Sequence, residues 1–193
     1  MRIARLVVLL GLGSASLLLW GLPSMGAGAP CTQTGTQGDD VMNGTPGDDV
    51  LCGFGGDDEL RGFGGNDILR GGPGHDFLSG GGGDDRLRGS QGRDTMIGGT
   101  GNDVMRGGRG ADDGDGGRGD DRIYGGETGD STLYGGAAGV DIVNGGPGND
   151  ACLATVDGRG NDTVRGGLGT DRYFIDDGDA HFSAEIEGPC FAE

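Results

Sequence analysis

The chain contains no lysine. Its 14 basic residues are all arginine, set against 31 acids, and the formal charge is −17 over 193 residues. Removing Arg2 and Arg5 with a leader leaves 12 Arg against 31 acids, or −19. That balance excludes a general nucleic-acid binder, which needs a basic footprint. Without lysine there is no G-K-[ST], so the glycine-rich loops are not phosphate loops. Histidine occurs twice, at His75 and His181, and no H-E-x-x-H is present. A zinc protease is therefore not expected, and the scattered cysteines offer no zinc-site spacing. Only 33% of residues are hydrophobic and 5% aromatic, a composition that ordinarily means disorder.

What the chain does have is glycine, 50 residues of it, and the glycines are periodic. From Gly35 to Tyr124 the sequence divides into ten nonapeptides without insertion or deletion, from GTQGDDVMN and GTPGDDVLC to GGRGDDRIY. Each has Gly at positions 1 and 4 and Asp at position 6. Position 8 is apolar in all but one, where Gly114 stands. A fixed period of this kind decides the fold before local propensity does. After Tyr124 the period loosens through ten-residue units at 125–134 and 135–144, and residues 154–156 interrupt it. Counting GGPGNDACL (145–153), DGRGNDTVR (157–165) and GGLGTDRYF (166–174), there are about fifteen units over 35–174.

The flanks read differently. Residues 1–29 have a positive start at Arg2 and Arg5, an apolar run from Leu6 to Trp20, and small residues up to Ala29. This is the pattern of a cleaved export signal, with a retained anchor as the alternative. Residues 30–34 are read as an N-terminal cap and 175–193 as a C-terminal cap, since a repeat stack needs both ends closed. The expected location is secreted and extracellular.

Spacing leads to chemistry. Positions 1 to 6 are expected to be turn, with Gly at 1 and 4 allowing positive φ. Positions 7 to 9 are expected to be a three-residue strand with position 8 facing inward. Such strands pack only if the chain coils with two nonapeptides per turn, placing each unit in parallel over the unit eighteen residues on. The fold class is then all-β, a parallel β-roll or solenoid. The Asp residues fall into two rows. One holds Asp40, Asp58, Asp76, Asp94 and Asp112, and the other Asp49, Asp67, Asp85, Asp103 and Asp121. Asp141, Asp150, Asp162 and Asp171 continue the series. Carboxylates stacked about 5 Å apart repel one another. A Ca²⁺ ion, taking 6–8 oxygens at about 2.3–2.6 Å in flexible geometry, reverses that sign.

The units resemble the RTX nonapeptide, G-G-x-G-x-D-x-U-x, a calcium-binding β-helix repeat. GGTGNDVMR (98–106), GGPGHDFLS (71–79) and GGPGNDACL (145–153) match every specified slot, with Cys152 counted as apolar. The resemblance implies a right-handed roll with several Ca²⁺ ions held in both rows of turns by the position-6 aspartates and loop carbonyls. Weakened sites are expected where Ser131 takes the Asp slot and Gly114 the apolar slot.

Stacking also bears on the four cysteines. Cys52 and Cys152 lie five to six turns apart, over about 20 Å at strand spacing, beyond disulfide reach. The expected pairs are Cys31–Cys52 and Cys152–Cys190, one at each end. Arg70, Arg88 and Arg106 occupy position 9 of alternate units and should form a ladder on one outer face, either balancing the acid rows or offering an anion or glycan strip. Gly129-Asp130-Ser131-Thr132-Leu133 resembles an esterase nucleophile block, but a nucleophilic Ser needs a base within reach, and only His75 and His181 could supply one. The sequence therefore points to an exported, non-enzymatic Ca²⁺-binding protein that folds on binding the ion. No nucleic acid or small-molecule substrate is expected. A structural or adhesive envelope protein with a cell-surface or glycan partner is the alternative.

Overall fold

The computed structural model describes residues 29–155, 162–175 and 180–182. The expected leader, apart from Ala29, and most of the expected C-terminal cap lie outside the described residues. Among those described there is no helix, only seventeen strands. In chain order they are β1 (Gln33–Thr34), β2 (Val41–Asn43), β3 (Val50–Cys52), β4 (Glu59–Gly64), β5 (Ile68–Pro73) and β6 (Phe77–Gly82). Next come β7 (Arg86–Gln91), β8 (Thr95–Thr100), β9 (Val104–Arg109), β10 (Asp113–Arg118), β11 (Arg122–Gly126) and β12 (Thr132–Tyr134). The last are β13 (Ile142–Pro147), β14 (Leu153–Thr155), β15 (Thr163–Leu168), β16 (Tyr173–Ile175) and β17 (Ala180–Phe182).

Odd-numbered strands form one nine-stranded sheet and even-numbered strands an eight-stranded sheet, each in chain order. Every pairing is parallel. Through the regular block each residue sits beside the one eighteen further on, as in Leu60↔Leu78↔Met96 and Leu69↔Leu87↔Met105. The chain is a β-solenoid with two nonapeptides per turn. Its core is one inward residue per strand, a file from Met42 and Leu51 through Leu87, Met105 and Ile123 to Val164 and Tyr173. A strand this short is unstable alone, so the stacking supplies what each unit lacks.

Two expectations about the nonapeptide are corrected. The central strands have six residues, not three. They run through position 9 into positions 1 to 3 of the next unit, where Phe63 pairs with Gly81 and Gly72 with Ser90. Positive φ falls at position 4, as expected, but at position 2 in place of position 1. Gly72, Gly81 and Gly99 show it at position 2, and Gly74, Gly83 and Gly92 at position 4. The three non-glycine residues at positive φ, Phe54, Phe63 and Ser90, all hold position 2. The glycine at position 1 answers to space instead. A Cβ on Gly116 would lie 2.6 Å from Asp121 Oδ2, and one on Gly107 would lie 2.5 Å from the Gly125 carbonyl.

The irregular stretch keeps its stacking. Gly114 pairs with Met96 and Leu133, so β10 runs on without an inward side chain. In unit 125–134 the extra residue is Ser131 itself. Its N–H donates to the Asp112 carbonyl at 3.0 Å, while Thr132 takes the partner position beside Asp113. That is a bulge, and the next unit of this sheet repeats it. Ala151 N–H donates to the Asp130 carbonyl, and Leu153, not Cys152, pairs with Leu133 and fills the inward slot. The interruption expected at 154–156 is in part strand, since Ala154 and Thr155 belong to β14. At the other end, Gln33 and Thr34 form β1 and pair with Leu51 and Cys52. Cys31 bonds to Cys52 with a Cα–Cα separation of 6.0 Å. Cys152 is also disulfide-bonded, and its expected partner Cys190 lies outside the described residues.

Candidate metal centre: two rows of buried aspartates

Each turn carries its aspartate inward because the flanking strand fixes its direction and the position-1 glycine leaves room beside it. From Asp58 to Asp171 the position-6 aspartates are buried. One carboxylate oxygen of each is committed. Oδ1 accepts the N–H of the aspartate one turn back, as in Asp76 N–H to Asp94 Oδ1 at 2.9 Å and Asp85 N–H to Asp103 Oδ1 at 2.8 Å. The bond repeats along both rows, through the longer units as well, to Asp141 N–H on Asp162 and Asp150 N–H on Asp171.

The other oxygen has no partner. Oδ2 is buried and unanswered in thirteen aspartates: Asp58, Asp67, Asp76, Asp85, Asp94, Asp103, Asp112, Asp121, Asp130, Asp141, Asp150, Asp162 and Asp171. A buried carboxylate oxygen without a partner is costly, and the cost appears in proton affinity. Burial raises Asp85, Asp94, Asp121 and Asp130 to about 7, with adjacent carboxylates adding to the shift. Burial likewise raises Asp76, Asp103 and Asp150 to about 6. Perturbation of this size concentrates at functional sites.

Asp40 and Asp49, expected in the same role, sit differently. Thr36 N–H and hydroxyl donate to Asp40 Oδ2 at 2.6 and 2.9 Å, and Thr45 does the same for Asp49 at 2.6 and 2.8 Å. The Thr45 N–H and hydroxyl hold the Asp49 carboxyl below its usual range.

The family described as RTX calcium-binding nonapeptide repeat matches residues 34–62, 61–96, 79–113, 88–123, 106–137, 115–151 and 156–179. This chain belongs to that family. No curated protein matches it. RTX nonapeptide repeats bind calcium, and the residues here fit such an ion. Among the described residues no three His, Cys, Asp or Glu side chains converge on one point. Any site must therefore join the orphaned Oδ2 atoms to carbonyls of the glycine-rich turns. An all-oxygen donor set of that kind suits Ca²⁺ and not zinc.

Sequence reasoning missed two features of these RTX turns. Asp130 is one, because counting back from Leu133 puts Ser131 in its place. In fact Asp112 N–H donates to Asp130 Oδ1 at 3.1 Å and Asp130 N–H to Asp150 Oδ1 at 2.9 Å, so the row is unbroken. The other is a second ladder at position 5 that runs the opposite way. There a side chain accepts the N–H one turn ahead, as Asp39 from Asp57, Asp48 from Asn66 and Asn66 from Asp84. His75 takes part through Nδ1, which accepts Arg93 N–H at 2.8 Å. The imidazole considered as a base for Ser131 thus caps a turn. The signal was present, since position 5 is Asp, Asn or His in every regular unit except those with Arg93 and Ala111.

Proposed function

We propose that this chain is an exported, non-enzymatic calcium-binding roll whose folding is coupled to the ion. The observation that carries the reading is the repeated buried, unpartnered Oδ2. Asp58, Asp67, Asp76, Asp85, Asp94, Asp103, Asp112, Asp121, Asp130, Asp141, Asp150, Asp162 and Asp171 would hold Ca²⁺ together with turn carbonyls, while Asp40 and Asp49 would close the first turns through their threonines. When bound, the ion supplies the positive charge that makes stacked carboxylates compatible with burial. The chain supplies everything else: strand register aligns the rows, Oδ1 bonds aim each carboxylate, and position-1 glycines clear the space. Because the unfolded chain has no preformed site, binding free energy becomes folding free energy. Millimolar affinity, typical of extracellular sites, matches the leader-like residues 1–29. Far-ultraviolet circular dichroism in EDTA and in excess Ca²⁺ tests the coupling. Coil in EDTA and β-structure in Ca²⁺ are expected, and full β-content in EDTA would sink it.

A further inference from the structure

The two outer faces of the roll differ in charge. On the nine-stranded sheet, positions 7 and 9 of β3 to β15 carry Arg70, Arg86, Arg88, Arg106, Arg122 and Arg165, and no acid. The same positions along β2 to β16 on the other sheet carry only Arg61 and Arg172, with Glu59, Asp113 and Asp115. Half of the twelve arginines left after the leader thus stand on one face of a strongly acidic chain. Four of them pair with no acid: among the described residues Arg86, Arg88, Arg106 and Arg122 make no ion pair, whereas Arg61, Arg93 and Arg109 each make one.

The face also has a shaped depression. A shallow groove of about 560 Å³ runs where Arg88, Arg106 and Tyr124 stack on successive turns. Its floor is glycine backbone, Gly107, Gly108, Gly125 and Gly126, which is why no side chain fills it. The Arg106 guanidinium lies 5.3 Å from the centre of the Tyr124 ring, a cation–π contact that leaves its N–H edges available. The far wall holds Ser90, Gln91 and the exposed Arg109–Glu127 pair.

We propose that this face binds an acidic polysaccharide, with a sugar-borne carboxylate on Arg88 and Arg106. A guanidinium fork matches a carboxylate in two parallel hydrogen bonds. Ser90, Gln91 and the ring of Tyr124 suit the hydroxyls and flat faces of a sugar. Rungs about 4.8 Å apart let the Arg88 and Arg106 guanidiniums close on one carboxylate, whereas duplex DNA presents a charge every ~1.7 Å.

The inference rests on the calcium-loaded roll, so the test monitors folding separately. The full chain in Ca²⁺ is titrated calorimetrically with hyaluronan oligosaccharides, with neutral dextran oligosaccharides and anionic phospholipid vesicles as other arms. Circular dichroism is read on the same samples. Hyaluronan binding that weakens with salt and falls at least tenfold in Arg88→Gln/Arg106→Gln, but not in Arg61→Gln on the other face, is expected. A folded chain that ignores hyaluronan, binds it equally in the double variant, or binds dextran or vesicles as well or better overturns the proposal alone. A chain that stays unfolded in Ca²⁺ overturns the calcium reading and this face with it.

Discussion

In the first two units the aspartate is answered by the protein. Asp49 Oδ2 accepts both the N–H and the hydroxyl of Thr45, and Asp40 has the same arrangement with Thr36. One turn later the same slot holds Asp58 and Asp67, each with a buried Oδ2 and no donor. The backbone differs with them. Gly38 and Gly47 do not take positive φ, and a Cβ there would meet nothing nearer than 4.0 and 3.9 Å. The corresponding Gly92 has φ 120° and stands against the Gly74 carbonyl. The contrast teaches that this fold can satisfy the carboxylate with a neighbouring threonine, and does so only where the stack begins. Further on, position 2 turns a corner at positive φ, a conformation that disfavours threonine, and the oxygen is left for a cation.

The largest expected effect breaks the contrast through the backbone. Gly92→Ala combines positive φ with overlap against a carbonyl and should cost about 3 kcal/mol or more. Gly47→Ala should stay within about 0.5 kcal/mol. Chemical denaturation in Ca²⁺ reads both, and equal costs would mean that the first turns are no different.

Next comes the ion itself. Asp103→Asn should lower the number of Ca²⁺ bound and raise the Ca²⁺ concentration needed for folding, by about tenfold per 1.4 kcal/mol of lost site energy. Asp49→Asn should leave the number unchanged. Isothermal titration separates them, and a matching loss at both positions would remove the distinction between capped and open aspartates.

Acidity sharpens the comparison further. In EDTA, the buried carboxyls with raised affinity stabilise the roll below the ordinary carboxylate value near 3.8 and lose that contribution as pH climbs through about 6 to 7. Metal-free roll should therefore gain β-structure on acidification from pH 8 to 4. Asp49, held low, contributes in the opposite sense, and its share is lost as pH falls below 3.8. With Ca²⁺ present, protons compete with the ion and acid should weaken binding. Metal-free dichroism that worsens towards pH 4 would contradict the burial argument.

The smallest effect concerns Gly114. A Cβ there would meet Ile123 and Leu133 at 3.4 Å, contacts that small adjustments relieve, and no positive φ opposes it. Gly114→Ala should stabilise by about 0.5–1 kcal/mol, visible as a higher melting temperature in Ca²⁺.

The period carried most of the fold. A nine-residue repeat with one apolar slot leaves stacking by eighteen as the way to bury Leu60 on Leu78, and the Asp rows follow from that register. The Cys31–Cys52 bond was equally legible, because stacking puts those residues at one end. What escaped reading depended on where an extra residue is absorbed. Ser131 and Ala151 bulge after the aspartate, so counting from the apolar slot displaced Asp130 and chose Cys152 over Leu153. The position-5 ladder escaped because Asp, Asn and His look unrelated until one asks only for a hydrogen-bond acceptor. Strand length was underestimated because glycine at positions 1 to 3 reads as turn, although it pairs here as strand.

Amide hydrogen exchange tests the central claim most directly, that the buried open carboxylates keep the chain from folding until calcium joins them. In Ca²⁺ at neutral pH, the turn amides from Asp58 to Asp150 should be slowed by at least about a thousandfold, and in EDTA they should exchange at the rates of an unfolded chain. Equal protection of those amides in EDTA and in Ca²⁺ would contradict the account.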